Sequence, residues 1–482
     1  MSLLETVRFS LWGMNQARAS RASPQRLEAL REARLRRLLR HAARRSPFYG
    51  EKFRGIDLDR CASVDLPVTT KGELMAHFDR VVTDPLVRRA DLERFIDDPA
   101  NVGRLFLGRY PVCHTSGSQG QALIVVLDRL SLDLLFAFQM SRGNVGYRFG
   151  PLEAARRFFA PGRLAVVISR PGFFPSAWVW QHLPRALRPY LRLLYVPSSD
   201  PDLREKLHAF RPTALTGNPS VLELLALRAA SFELRPELRQ VVTTSETLTE
   251  RARTRIEEAF GVPVLDNYAC GECLFLSNGC PTDPGAHVNA DWALLEVVDE
   301  VGRAVPPGQP GQKVLLTNLA NAVQPLIRYE VGDRIVMATS PCRCGSRLPR
   351  VARVEGRAAD FFWVRSGAGY RPLLTYPFKH AFEYCREVRE WQAVQEGRNR
   401  VLVRLELLPG TTLDRERARE KLEERLETVG LRGEVEIDLE VVPRLDWDPR
   451  TGKFRRLVSR VGPPVDLPQG QPHGAGVGTG ST

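Results

Sequence analysis

The sequence predicts an α/β protein in which a large N-terminal domain of mixed sheets and helices precedes a small C-terminal α+β domain. Three features of the chain predict it. At 482 residues it is too long for one hydrophobic core and suits two or three domains. Between Leu164 and Phe260 short apolar runs alternate with segments of helical period, the pattern of a mainly parallel sheet covered by helices. Beyond Gly356-Arg357 the pattern becomes strand, helix, strand over about a hundred residues, enough for a small separate domain.

Composition excludes several classes of function. With 43% hydrophobic and 26% charged residues the chain is an ordinary globular protein. The formal charge of +13 and pI near 9.6 invite a nucleic-acid reading. Only seven of the 69 basic residues are Lys, however, and the arginines lie dispersed among Glu and Asp with no nucleic-acid module signature. An anionic small-molecule substrate suits that charge better, and no nucleic-acid partner is expected. No run approaches the roughly 18 apolar residues of a membrane span, and the first residues lack the pattern of a secretory signal. Eight unevenly placed cysteines suit a reducing cytoplasm and a metal site rather than a disulfide framework.

Taken in order, Pro24 to Arg45 reads as a basic helix with Leu27, Leu30, Leu35, Leu38, Leu39 and Ala42 at helical spacing, a face that would dock on its own domain or, alternatively, lie on an acidic membrane surface. Leu66 to Lys71 ends one element and caps the next helix, leaving Lys71 in solvent. Tyr110 to Leu127 places Thr115-Ser116-Gly117-Ser118-Gln119-Gly120 between two strand-like runs. Glycines that admit close approach and hydroxyls that donate can cradle phosphate oxygens, although a hairpin without a ligand has the same composition. Strands follow at Leu164–Ser169, Leu193–Val196, Ala214–Thr216 and Val241–Ser245, with helices at Asp202–Phe210, Pro219–Ala230 and Thr249–Phe260, the last stopped by Gly261. Ligands of such sheets sit beyond the carboxyl ends of the strands, where Ser245 and Glu246 fall. Tyr268 and Glu272, four residues apart after another strand, can offer an aromatic face and a carboxylate for Mg²⁺. Pro306 to Gly311 is a turn and Val314 to Asn318 a strand; Asp333 then follows Gly332, able either to accept two ribose hydroxyls or simply to cap its turn.

T-S-G-S-Q-G, Y-A-C-G-E, P-L-I-R-Y-E-V-G-D, V-E-G-R and P-R-T-G-K-F-R-R occur in one order across roughly residues 25 to 460. In this the chain resembles the adenylate-forming enzymes, on the branch of phenylacetate-CoA ligase and the related enzymes that adenylylate a deazaflavin cofactor. The resemblance implies that Thr115, Ser116, Gly117, Ser118 and Gly120 hold the ATP phosphates and that Tyr268 stacks on adenine. It implies that Glu272 carries Mg²⁺, Asp333 holds the ribose, Arg357 stands beside the hinge and Lys453 is the mobile catalytic lysine. Two positions depart from the usual pattern: Tyr268-Ala269 and Gly271-Glu272 replace Tyr-Gly and Thr-Glu, and Gln119 replaces a commoner Thr.

Cys280, His287, Cys342 and Cys344 offer three thiolates and an imidazole, a closed tetrahedral set for structural zinc. Cys270 and Cys273 with Cys342 and Cys344 form the rival set, and buried thiols without metal remain an alternative. The first set is preferred because Cys270 shares a turn with Glu272, and because C-x6-H followed by C-x-C-G resembles the zinc pattern of the phenylacetate-CoA ligase branch. Residues 1–358 are thus expected to form the ATP- and acid-binding domain with its inserted zinc site. Residues 361–462 would form the small mobile domain that brings Lys453, with strands at Val401–Leu405 and Val435–Val442 and a helix at Asp414–Thr428. Residues 463–482 have the composition of a disordered tail. The implied reaction is AMP-forming activation of a small carboxylic acid followed by transfer to CoA, with a homodimer compatible with it. An amine or hydroxyl acceptor and a non-catalytic relative are the alternatives. Phe173, Phe174, Trp178, Trp180 and Tyr190 suit either an aryl pocket or core packing.

Overall fold

The computed structural model describes the chain except residues 1–10, 17, 116–122, 143–159, 169–172, 174, 176–181, 184–186, 199, 227–236, 358–360, 368, 375, 383–384, 386, 428–429, 446–453 and 462–482. Two compact units divide it: residues 1–297 with 304–355, and residues 298–303 with 356–482.

The first unit opens with the helix Pro24–Arg45, capped by Ser23, whose hydroxyl accepts the Arg26 N–H. Its leucine face is buried in the core while Arg26, Arg37, Arg40, Arg44 and Arg45 are exposed, so it docks on its own domain. Thr70 caps the helix Lys71–Ala76 in a reciprocal box with Glu73, a motif worth about 1 kcal/mol. An antiparallel hairpin follows, β1 (Val112–His114) against β2 (Ile124–Val126).

The alternating segment forms a five-stranded parallel sheet in the order β4-β3-β5-β6-β7. These strands are β3 (Gly162–Ile168), β4 (Leu191–Pro197), β5 (Ala214–Gly217), β6 (Gln240–Thr244) and β7 (Val264–Asn267). Helices Leu203–Phe210, Pro219–Ala226 and Glu250–Phe260 alternate with them. The last is capped by Thr249 and ended by Gly261 at φ 69°, as the residue types dictate. Beyond it the pairing becomes antiparallel, and of the strands there the sequence signalled only Val314–Asn318. Strands β8 (Ser277–Gly279), β9 (Ala286–Val288), β13 (Asp333–Met337) and β14 (Arg350–Arg357) make one sheet in the order β13-β14-β9-β8. A second runs β10 (Ala293–Val298), β11 (Lys313–Asn318), β12 (Tyr329–Val331).

A buried ionic network ties the N-terminal segment to this unit. Asp291 is fully buried and receives Arg142 in a two-pronged contact at 2.8 and 3.0 Å. Arg142 also reaches Asn289 Oδ1 at 2.7 Å and Gln16 O at 2.9 Å, and Arg34 stacks 3.6 Å over the Trp292 ring. Burial pushes the Asp291 carboxyl up, but Arg142 and Arg34 outweigh it and hold it below the ordinary carboxylate range. A depressed carboxyl contributes stability above its unfolded pKa of about 4 and loses it as the pH falls through the lower folded value. Arg142→Ala removes the two-pronged partner of that buried charge, leaves Arg34 alone beside it and is expected to cost about 3 kcal/mol. Urea denaturation at neutral pH checks it; a loss below about 1 kcal/mol would contradict the reading.

In the second unit β15 (Phe361–Ser366) and β16 (Gly369–Leu374) form a hairpin. Beside it stands a four-stranded sheet, β19-β18-β17-β20, of β17 (Val388–Gly397), β18 (Arg400–Leu407), β19 (Glu436–Val442) and β20 (Leu457–Ser459). The helices Tyr376–Phe382 and Arg415–Glu427 bury Phe378, Phe382, Ala418, Leu422 and Leu426 in one core with Trp391, Val401, Val403 and Leu405.

Candidate active site

The phosphate-loop candidate begins where β1 ends. Thr115 N–H donates to Leu123 O at 2.9 Å and its hydroxyl accepts the Leu123 N–H at 3.0 Å, closing the base of the loop. Ser116, Gly117, Ser118 and Gly120 lie outside the described residues. At the carboxyl end of β7, Asn267 Oδ1 accepts the Gly279 N–H at 2.7 Å and the Ser277 hydroxyl donates to Tyr268 O at 2.6 Å, fixing the turn that carries Glu272. A Cβ placed on Gly271 would stand 3.3 Å from Thr115 Cγ2, so this turn and the loop base pack directly against each other. Two acidic side chains then meet two phenols. Tyr268 donates to Asp333 Oδ2 at 3.0 Å, and Tyr329 donates to Glu272 Oε1 at 3.1 Å. All four are buried.

The closeness of these groups sets their electrostatics. Burial pushes the Tyr268 phenol well up, and the Asp333 and Glu272 carboxylates push it further, so it stays a donor. The same two carboxylates act on Cys270, whose thiol burial raises first. Cys113, fully buried in β1, is likewise raised by burial and then by Glu272. Such thiols are poor nucleophiles.

At the end of β6, Ser245 holds φ 74°, a left-handed backbone that costs about 1 to 3 kcal/mol in a residue with a Cβ. Its neighbour Glu246 accepts from Ser220 Oγ at 2.5 Å and Asn218 Nδ2 at 3.1 Å, which places it at the carboxyl end of the sheet. Of the aromatic stretch, Phe173 is buried, with Phe95 at 5.7 Å between ring centroids, and serves the core. Tyr190 is half-buried; Phe174, Trp178 and Trp180 lie outside the described residues. Arg357 ends β14, its side chain not among those described, and Lys453 also lies outside them. Tyr329 lies within the motif P-L-I-R-Y-E-V-G-D and Asn318 at the end of a legible strand, but the sequence did not signal that Tyr329 meets Glu272 or that Asn318 Nδ2 donates to Glu272 O at 2.9 Å: their partner lies 57 and 46 residues away.

Apart from this site, Cys280, His287, Cys342 and Cys344 bring their ligand atoms within 4.8 Å of one another. Cys280 Sγ and Cys342 Sγ are 3.3 Å apart, as are Cys344 Sγ and His287 Nε2. His287 Nδ1 lies 3.2 Å from Leu348 O, so Nδ1 carries the proton and Nε2 faces the thiols. Burial raises the Cys280 thiol, but contact with His287 and hydrogen bonds from the N–H groups of Asp283 and Thr282 outweigh it and hold the thiol below its ordinary value. Arg343 donates its N–H and its Nε to Asp283 at 2.9 and 2.6 Å, latching the two cysteine loops together. Three sulfurs and one imidazole nitrogen, with N–H donors around them, fit a tetrahedral zinc. Cys270 and Cys273, the rival pair, lie instead in the turn with Glu272.

The architecture is that of an adenylate-forming CoA ligase fold. It is similar to 2-hydroxyisobutyryl-CoA ligase in the postadenylation state with 2-HIB-AMP, at a TM-score of 0.67, 20% identity and coverage of 91% of this chain and 90% of that one. An open conformation of the same ligase with 2-HIB-AMP and CoA gives a TM-score of 0.55 at 21% identity, covering 89% of this chain and 90% of that one. In sequence the chain is 32% identical over 163 residues to the phenylacetate-coenzyme A ligase of Thermus thermophilus, and 27% identical over 163 residues to that of Pseudomonas putida. Each matched stretch is 32% of this chain and 36% of the relative, so the matches span about a third of those relatives' length. No family model matches. Fold and local sequence together carry the resemblance to the adenylate-forming superfamily, on its phenylacetate-CoA ligase-like branch.

Proposed function

We propose that the protein is an ATP-dependent, AMP-forming acid-CoA ligase. The observation that carries the reading is the meeting of Thr115, of Tyr268 and Glu272, and of Asp333, from three separate stretches of sequence, around one turn. In the first step a substrate carboxylate oxygen attacks the α-phosphorus of ATP, and the bond to the pyrophosphate oxygen breaks. Anion meets anion, so the barrier is electrostatic before it is covalent. Loop N–H groups and hydroxyls from Thr115 to Gly120 would bind the departing phosphates, with Arg357 and Lys453 adding positive charge. Glu272 would hold Mg²⁺, which supplies charge neutralisation when bound. Asp333, oriented by Tyr268, would accept the ribose hydroxyls, and the Tyr268 ring would flank adenine. In the second step the CoA thiolate attacks the acyl carbon and AMP leaves with the electron pair of the broken bond.

Structural zinc at Cys280, His287, Cys342 and Cys344 belongs to the same reading; its closed donor set leaves no position for substrate. Eight cysteines outside any disulfide agree with a reducing compartment such as the cytoplasm, and no described helix is long and apolar enough to cross a membrane.

Hydroxamate trapping over a panel of small aliphatic and aryl acids tests the first step, and repeating it with CoA tests the acceptor. Hydroxamate formed without CoA and diverted to thioester with it is the expected result; hydroxamate unaffected by CoA would assign another acceptor. Asp333→Ala is expected to raise the KM for ATP about tenfold or more, since it removes a charged hydrogen-bond acceptor worth about 1.5 to 3 kcal/mol. An unchanged KM would remove Asp333 from the nucleotide site.

A further inference from the structure

Glu272 is gripped at both its main chain and its side chain by one pair of strands. Tyr329 lies in β12, paired with Leu316 of β11 and bridged on its other side to Thr69. Thr69 N–H donates to Arg328 O at 3.0 Å and Glu330 N–H to Thr69 O at 2.9 Å, so the backbone of Tyr329 is held from both flanks. Two residues beyond Leu316, Asn318 closes β11 and donates its Nδ2 to the Glu272 carbonyl at 2.9 Å. The Tyr329 hydroxyl meets Glu272 Oε1 at 3.1 Å, and among the described residues Oε1 is the only carboxylate oxygen of Glu272 that receives a hydrogen bond. Tyr329 is 2% exposed, so this hydroxyl is sheltered from solvent. A carboxylate with one oxygen fixed by a rigid donor presents its remaining lone pairs in a set direction. Partners of this kind around metal-binding carboxylates commonly govern affinity by about 10- to 100-fold.

We infer that Tyr329 is the positioning residue for Glu272, setting the direction in which its carboxylate meets the divalent cation that accompanies ATP. The inference rests on the reading of Glu272 as the cation carboxylate. It differs from that reading in what it requires of a residue that touches neither nucleotide nor cation. Tyr268 provides the internal comparison, because it makes the same phenol-to-carboxylate contact to Asp333 instead.

Tyr329→Phe keeps the buried ring and removes only the hydroxyl, so the variant is expected to fold, which its melting curve checks. Mn²⁺ binding to the ATP-bound protein, measured at equilibrium by electron paramagnetic resonance, is expected to weaken about tenfold. The Mg²⁺ activation constant should rise by a similar factor, with kcat largely restored at saturating Mg²⁺. Tyr268→Phe should weaken ATP binding while leaving the Mn²⁺ affinity of the ATP complex unchanged. If Glu272→Gln weakens Mn²⁺ binding but Tyr329→Phe does not, or if Tyr268→Phe weakens it equally, the positioning role is overturned while the reading of Glu272 stands. Wild-type Mn²⁺ binding by Glu272→Gln would instead overturn that reading, and the inference with it.

Discussion

Replacing Lys453 with alanine is expected to stop acyl-adenylate formation while ATP binding persists. The loss follows from where charge develops. As the acid attacks, negative charge gathers on the α-phosphoryl oxygens and on the leaving pyrophosphate, and a cation that arrives only then stabilises the transition state without tightening the ground state. A single well-placed neutral donor is worth about 10² to 10³ in rate, so a full cation excluded from water should be worth about 10³ or more. Pyrophosphate release should fall by at least that factor, and calorimetric ATP affinity should change by less than about threefold. Full pyrophosphate release by the variant would show that P-R-T-G-K does not carry the catalytic lysine.

Loss of the metal centre is the second large effect. The four donors come from the β8–β9 hairpin and the loop of Cys342 and Cys344, and the latch between Arg343 and Asp283 has its guanidinium in solvent, where an ion pair holds weakly. Metal coordination is therefore expected to supply most of the energy that keeps the loops together, as structural zinc does where apparent binding energies reach about 10 to 16 kcal/mol. The protein as purified should contain one zinc per chain. Cys342→Ser should lose it and melt about 10 °C or more below the wild type. A wild-type protein free of metal, or one whose melting point ignores a strong chelator, would exclude the zinc assignment.

Local rules carried much of the fold. Ser23, Thr70 and Thr249 cap the helices their residue types announce, and Gly261 ends one in the left-handed conformation. The parallel sheet was legible because strands buried on both faces read as continuous apolar runs between amphipathic helices. The strands β8, β9, β13 and β14 were not, because three-residue runs such as Ser277–Gly279 carry no period, and the pairing of β14 with β9 joins residues more than 60 positions apart. In the small unit β17 and the helix Tyr376–Phe382 went unread for a similar reason: Trp391 and Phe378 stack at 5.8 Å only once the core has formed.

The site divides along the same line. Glu272, Asp333 and Tyr268 stood out through motif residues and their spacing, as did the set of Cys280, His287, Cys342 and Cys344. What surrounds them did not. Tyr329 sits in the motif P-L-I-R-Y-E-V-G-D and Asn318 at a legible strand end, yet nothing in the sequence showed that both reach Glu272 across the fold. The backbone strain at Ser245 likewise has no sequence signature, since serine is not a residue that prefers φ 74°.

The most direct test of the account is exchange of radiolabelled pyrophosphate into ATP in the presence of a carboxylic acid and the absence of CoA. Exchange requires a reversible acyl-adenylate and nothing from the second step. The account predicts exchange that depends on the acid and is lost in Glu272→Gln. Exchange that proceeds equally without any acid, or survives Glu272→Gln undiminished, would contradict it.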